Sequence, residues 1–144
     1  MPTKSGLTKG CGARRKLSRA DQKKLDIQIS FLEGIVKRDP SYVEALQILG
    51  DDYTSRGRFL AGLKIDERLA KLRPEDPIVY YNLACSYCLT GKVMRAGSAL
   101  KKALALGYRD FTWLARDPDL KRLRQHPLYE KIQVQVRKLK VNVR

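Results

Sequence analysis

Two cysteines three residues apart have the clearest potential for chemistry in this sequence. Cys85 and Cys88 have the C-x-x-C spacing of thiol redox pairs and of half a zinc site. A structural zinc site needs four ligands, and no second pair with suitable spacing is present. Redox pairs lie at a helix N-terminus, where the dipole lowers the thiol pKa, whereas this pair lies well inside a predicted helix. We therefore interpret both cysteines as small apolar residues.

The remaining polar residues form no recognisable catalytic set. The single histidine, His126, precedes a proline at the start of a predicted helix, a position typical of a surface or capping residue. The acid pairs Asp51–Asp52 and Glu75–Asp76 fall at predicted helix starts or on exposed faces, where carboxylates are solvated. Phosphate-binding glycine loops and the metalloprotease and serine-hydrolase motifs are absent. The sequence predicts a protein that is not an enzyme and uses no metal or cofactor.

The net charge of +15 is concentrated at the two ends of the chain. Residues 1–20 hold six Lys/Arg and residues 131–144 hold five, with no acid in either segment; between them, nineteen bases face all fifteen acids. We expect residues 1–17 to be a flexible basic arm and residues 141–144 a frayed basic tail. Such ends could contact nucleic acid or an acidic protein weakly, although they lack interleaved aromatic residues and any nucleic-acid-binding motif.

Hydropathy and cysteine usage predict a cytoplasmic protein without membrane contact. No run approaches the roughly 18–20 apolar residues that span a bilayer. The basic N-terminus is not followed by the apolar core of a signal peptide. Three cysteines without an export signal indicate reduced thiols.

The elements that hold these residues are predicted to be helices joined by short turns. Ser18-x-x-Asp21 and Ser41-x-x-Glu44 have capping-box spacing, and Asp76-Pro77 has the order of a cap and a first helical residue. Apolar residues recur every three or four positions in each segment. The predicted helices cover residues 18–39, 41–57, 59–72, 77–90, 93–106 and 127 to about 138. Only the last of these has a competing strand pattern, since its apolar residues also alternate.

Alignment of the sequence with itself reveals an internal repeat. At an offset of 34 residues, the identical pairs are Pro40 with Pro74, Leu49 with Leu83, Tyr53 with Tyr87, Gly57 with Gly91, and Leu72 with Leu106. A 34-residue helix–turn–helix period with the pattern W-x2-L-G-x2-Y, then A-x3-F, then P, is the signature of the tetratricopeptide repeat. The sequence resembles this family at Leu46-x2-Leu49-Gly50-x2-Tyr53 with Pro74, and at Tyr80-x2-Leu83-Ala84-x2-Tyr87 with Ala96.

The resemblance implies an all-α superhelix of antiparallel helix pairs, about seven helices in all, as in short bacterial proteins of this family. Residues 18–140 would form one domain with a half repeat (22–38), two repeats (41–74 and 75–108) and a cap with a capping helix (109–140). Signature residues would be structural. Gly62 and Asp66 depart from the pattern, because the family has Ala and a large apolar residue at these places.

In the family, the first helix of each pair lines a concave groove that receives partner peptides. The resemblance implies a polar, partly acidic end of this groove at Glu44, Gln47, Asp51, Thr54 and Ser55. It implies an apolar end at Ile78, Tyr81, Asn82, Cys85, Cys88 and Leu89. The sequence thus predicts a scaffold or adaptor that binds a short amphipathic segment of another protein. An open alternative is that the protein's own C-terminal helix, through Leu128, Ile132 and Val136, covers the apolar end.

The basic ends leave a second function open, non-specific binding of nucleic acid. The segment from Pro77 to Arg109 supports it, because it contains several bases and no acid. A chaperone-type carboxylate clamp is not predicted, since Asp51 would repel a ligand carboxylate.

Overall fold

The computed structural model describes residues 16–142, and these residues form an all-helical chain without strands. Five long helices come first: α1 (Arg19–Arg38), α2 (Val43–Ser55), α3 (Phe59–Leu72), α4 (Pro77–Leu89) and α5 (Val93–Leu106). A C-terminal segment follows: α6 (Phe111–Leu114), a 3-10 helix (Pro118–Leu120), α7 (Lys121–Arg124) and α8 (Tyr129–Asn142). Consecutive long helices pack against one another, from α1 on α2 to α4 on α5. The predicted all-α class is confirmed, with a capping segment more divided than expected.

Two of the predicted helix caps are present. The Ser18 hydroxyl accepts a hydrogen bond from the backbone N–H of Asp21 at 3.1 Å, which satisfies one of the unpaired donors at the start of α1. The Asp76 carboxylate accepts from the backbone N–H of Ile78 at 2.9 Å, with Pro77 as the first residue of α4. The sequence therefore located both helix starts correctly.

The capping box predicted at Ser41 is wrong. α2 begins after Tyr42, and no side chain caps it. The Asp39 carboxylate instead accepts a hydrogen bond from the backbone N–H of Ser41 at 3.3 Å. This local turn delays the entry into α2 by one residue, because Ser41 is still part of the connection.

The internal repeat of the sequence is also a repeat of structural contacts. Tyr53 of α2 donates its hydroxyl hydrogen to Glu33 of α1, and Tyr87 of α4 donates to Glu67 of α3 at 2.9 Å. Both partners of the second bond lie one full repeat beyond those of the first. A repeated contact between a helix and the next pair shows that equivalent helices adopt equivalent packing.

The turns inside the two helix pairs, α2–α3 and α4–α5, repeat in the same way. Gly57 and Gly91 have φ of 86° and 82°, a left-handed conformation that glycine adopts without steric cost. In each turn the residue after the glycine donates its N–H to the carbonyl of the tyrosine, Arg58 to Tyr53 at 2.7 Å and Lys92 to Tyr87 at 2.8 Å. The glycine positions predicted from the repeat are confirmed as turn residues.

Most of the other signature residues lie in the core or at its edge. Leu49, Gly50, Tyr53, Leu83, Ala84 and Ala96 are buried, Tyr87 is half-buried, and Pro74 is exposed between α3 and α4. The two departures from the pattern are accommodated. Gly62 lets Thr54 of α2 approach closely, and the buried Asp66 carboxylate accepts a hydrogen bond from the Ser86 hydroxyl of α4.

The last helix, α8, packs on α5, the second helix of the pair α4–α5. Ile132 of α8 is fully buried, and Gln135 donates to the carbonyl of Lys101 on α5 at 3.3 Å. Next to this contact, Leu128 occupies the space that a side chain at Gly97 would need. α8 begins two residues later than predicted and continues to Asn142, so residues 141 and 142 of the predicted frayed tail are helical. Residues 1–15 of the predicted arm and residues 143–144 lie outside the described part of the chain.

No helix within residues 16–142 combines the length and the apolar character that crossing a bilayer requires.

Candidate protein-interaction surface

The helix at the apolar end of the predicted groove is enclosed on almost all sides. α4 packs against α3, α5, the 3-10 helix and α7. Tyr81, Cys85 and Cys88 are at most 3% exposed. The Tyr81 ring stacks on Tyr108 with the ring centroids 4.1 Å apart. A helix that is apolar all round has to be covered all round, and here the chain itself provides the cover.

A buried carboxylate fixes the covering segment to α4. Asp117 precedes the 3-10 helix and is 1% exposed. One of its oxygens, Oδ2, accepts hydrogen bonds from the Tyr81 hydroxyl at 2.7 Å and from the Cys85 thiol at 3.6 Å. The other oxygen, Oδ1, accepts from the backbone N–H of Asp119 at 2.9 Å and so begins the 3-10 helix. The carboxylate thus connects two elements that are distant in the sequence.

Burial is the main cause of the raised pKa values in this cluster. It raises the pKa of the Tyr81 and Tyr108 hydroxyls, and the neighbouring Asp117 carboxylate raises them further. Burial also raises the pKa of the Cys88 thiol. Both tyrosines are therefore neutral at physiological pH, so that the Tyr81 hydroxyl keeps the proton it donates to Asp117, and Cys88 is poorly reactive.

These contacts correct the predicted site. Tyr81, Cys85 and Cys88 are not available to a guest. The alternative that the C-terminal helix covers them is also wrong in its segment, because α8 lies on α5 and the cover comes from the 3-10 helix and α7. The spacing of residues contained no sign of this, since Asp117 meets Tyr81 across 36 positions.

The polar end of the predicted groove remains largely open. Glu44, Gln47 and Ser55 on α2 are exposed, and Asp51 is half-buried. Thr54 does not belong to this surface, because it is buried and its hydroxyl donates to the carbonyl of Gly50 at 3.1 Å. Of the predicted apolar end, Ile78 is 39% exposed, whereas Asn82 and Leu89 are half-buried.

Sequence reasoning missed one residue of this open surface. Ile48 on α2 is 46% exposed and follows Gln47 on the open face. Helical periodicity could have indicated it, since position 48 shares a face with Glu44 and Asp51. It gives this acidic surface an exposed apolar residue.

The open surface differs in charge from the rest of the chain. Residues 42–55 contain three acids and no base, and residues 77–89 contain no charged residue, although the chain as a whole carries a net charge of +15. One of the acids, Asp52, accepts a hydrogen bond from Gln28 of α1 at 2.8 Å, and burial raises its pKa. The first helices of both pairs are therefore free of positive charge.

Comparison with known proteins gives one partial similarity. No protein-family model matches the chain. The chain is similar to a chloroplastic protein of Arabidopsis thaliana. The two are 34% identical over 79 residues, a match that covers 53% of this chain and 24% of the plant protein. The matched region is thus about a quarter of the length of that relative.

The buried cluster under the cap also has metal-ligand atoms. One such atom each from Cys85, Asp117 and Asp119 lies within 4.8 Å of the others, and all three residues are buried. The cysteine of this group belongs to the C-x-x-C pair, but Cys88 is not a member. Asp117 already accepts hydrogen bonds from Tyr81 and Cys85, so the cluster has a structural role without any bound ion.

The described part of the chain also carries exposed basic residues on α5 and α8. Residues 77–142 contain thirteen Lys/Arg and four acids, two of which, Asp117 and Asp119, are buried. Exposed bases lie on α8 and on or next to α5: Lys92, Arg95, Lys102, Lys131, Arg137, Lys138 and Lys140. The predicted alternative placed nucleic-acid binding in the two basic ends; of these, residues 16–20 and 131–142 are described, and the bases of α5 belong to the supporting segment from Pro77 to Arg109.

Proposed function

We propose that this protein is an adaptor of the tetratricopeptide-repeat type that binds a segment of another protein along the open face of α2. The contacts that recur one repeat apart, Glu33 with Tyr53 and Glu67 with Tyr87, support the assignment to this family and a superhelical stack of the pairs. The partial similarity to the chloroplastic protein is compatible with this proposal and adds nothing about a partner.

One observation carries the proposal: an exposed apolar residue lies on a helix face that has acids and no bases. Ile48 is 46% exposed between Glu44 and Asp51, and Ile78 on α4, one repeat after Glu44, is also exposed. Such a face favours a segment that has an apolar residue for Ile48 and basic residues for the acids. The buried residues of α4 contribute by holding the scaffold rigid.

The test compares capture of partners by two variants with the wild-type chain. Glu44→Lys with Ile48→Ser alters the open face, and both residues are exposed, so the fold should be retained. Lys102→Glu with Met94→Ser is the matched control on exposed positions of α5. We expect proteins captured by the wild type and identified by mass spectrometry to be lost with the first variant and kept with the second. Equal capture by both variants would contradict the proposal.

A second candidate function is weak, non-specific binding of nucleic acid through the exposed basic residues of α5 and α8. The observation that favours it is the surplus of nine bases over acids in residues 77–142. Affinity for a random duplex should then fall steeply between about 50 and 200 mM salt. Filter binding of the wild type and of a variant with Lys102, Lys131 and Lys138 changed to Glu tests it. An unchanged affinity in that variant excludes these residues.

A further inference from the structure

The face of α1 that points away from the core has an apolar stripe. Ile27 and Phe31 lie four positions apart, and they are 62% and 66% exposed. The buried residues of the same helix lie on the opposite face: Ile29, Leu32 and Val36. Gly34 continues the stripe, and a Cβ there would meet no atom within 4 Å. We refer to Ile27, Phe31 and Gly34 as the outer stripe of α1.

The internal repeat shows which packed residue of α3 is equivalent to the exposed Phe31 of α1. Phe31 lies one full repeat before Ile65 of α3. Ile65 is 7% exposed, and its Cγ2 lies 3.2 Å from the position of a Cβ at Gly50 on α2. This position of the second helix therefore packs on the first helix of its own pair. α1 corresponds to the second helix of a pair, but no helix within residues 16–142 occupies the place of its first helix. Phe31, the residue equivalent to Ile65, is therefore exposed.

The charges around the outer stripe are positive. Two of the three acids of α1 are turned toward the next pair, where Asp26 forms an ion pair with Arg56 at 2.8 Å and Glu33 accepts from Tyr53. The bases beside the stripe, in contrast, are exposed: Lys23, Lys24 and Arg38. An apolar stripe with basic margins complements an apolar helix face with acidic margins.

We propose that the outer stripe of α1 is a docking site for an acidic amphipathic helix of a partner protein. This helix would take the place on α1 that α2 takes on α3, and α2 itself is acidic, with three acids and no base in residues 42–55. The inference concerns a different surface from the proposed groove and does not depend on it.

Charge disfavours two occupants that this chain itself offers, its N-terminal residues and the α8 helix of a second copy. Residues 1–15 contain four bases and no acid, and they lack an apolar helical period. A second copy could offer the exposed Val134 and Val141 of α8, but Lys131 and Lys138 lie beside them. Either occupant would bring positive charge against the basic margins of α1.

The experiment uses the full chain and a labelled synthetic peptide of residues 41–57, which contains the helix that occupies the equivalent place on α3. Fluorescence anisotropy measures its binding to the wild type, to Ile27→Ser/Phe31→Ser, and to the control Leu60→Ser/Met94→Ser. The control residues are 65% and 61% exposed, so both double variants remove comparable exposed apolar groups. We expect Kd to rise about tenfold or more in the α1 variant, equivalent to about 1.4 kcal/mol, and to change little in the control.

Three results would overturn the proposal. The first is that the peptide binds the wild type and the α1 variant equally, or that it binds neither of them. The second is equal binding of a peptide in which Glu44, Asp51 and Asp52 are replaced by Lys, since acidity would then not matter. The third is a wild-type dimer in sedimentation that becomes a monomer in the α1 variant, because the stripe would then bind a second copy.

Discussion

At the scale of single residues, a few buried polar groups determine how the helices are arranged. Asp117 receives hydrogen bonds from Tyr81 and Cys85 of α4 while it begins the 3-10 helix of the cap. A buried hydrogen bond adds only modest net stability, but an unpaired buried partner is costly. The carboxylate therefore specifies the position of the cap more than it stabilises the fold.

Replacement of Asp117 by Ala should lower the free energy of unfolding by about 2–4 kcal/mol, because the Tyr81 hydroxyl and the Cys85 thiol lose their acceptor. Urea denaturation followed by circular dichroism measures the change. Glu75→Ala, at an exposed acid, is the control and should stay within about 0.5 kcal/mol of the wild type. A loss for Asp117→Ala as small as that of the control would contradict the anchoring role.

The two cysteines of α4 should be unreactive in the folded protein. Cys85 and Cys88 are 0% and 1% exposed, and burial raises the pKa of the Cys88 thiol, so little thiolate forms near neutral pH. In a Cys11→Ser variant, Ellman's reagent at pH 8 should modify both thiols slowly and only as fast as the protein opens. Addition of urea should make the reaction complete within the mixing time. Rapid modification of the native variant would show that the cap does not cover them.

At the scale of helices, the sequence placed the elements well where local rules determine them. Ser18, Asp76 and the turn glycines act on neighbouring residues, so their roles can be read from a short window. Ser41 failed because Asp39 competes for its backbone N–H. The end of α8 was placed too early because its last turns make tertiary contacts, such as Lys140 Nζ over the Phe111 ring at 5.8 Å, which no local pattern reveals.

Two glycines should respond in opposite ways to replacement by alanine. Gly34→Ala should stabilise the protein by about 0.5–1 kcal/mol, since Gly34 lies inside α1 with open space around it. Gly57→Ala should destabilise it by about 1 kcal/mol or more, because its φ of 86° strains an L-residue. Thermal and urea unfolding of both variants test this pair. Shifts of the same sign would contradict it.

At the scale of the whole molecule, the helices are unequally supported. α1 packs mainly on α2, whereas α4 contacts α3, α5, the 3-10 helix and α7. A helix stack in which each unit contacts its neighbours opens most readily at a helix with few neighbours. The surfaces proposed for partners, α1 and the open face of α2, thus lie at the less supported end.

Native-state hydrogen exchange should reveal this gradient. Amides of α4 should exchange only through global unfolding, while those of α1 should exchange through a local opening with a lower free energy. Measurement by mass spectrometry at several low urea concentrations distinguishes the two routes. Docking of the acidic peptide on the outer stripe should slow exchange in α1 specifically. Equal protection of α1 and α4 in the free protein would contradict the gradient.

The sequence by itself determined the helical class, the internal repeat and the turn glycines, because each of these depends on local periodicity or on a single backbone conformation. For the apolar residues of α4 the sequence left two covers open, a partner segment or the chain's own C-terminal helix. Only the tertiary structure decided what covers α4. The contact between Asp117 and Tyr81 joins segments 36 positions apart, and no local spacing encodes such a pair. The extent of the open surface was decided in the same way. Thr54 was expected on this surface but is buried beside Gly62 of α3, and Ile48, for which no role was predicted, is 46% exposed.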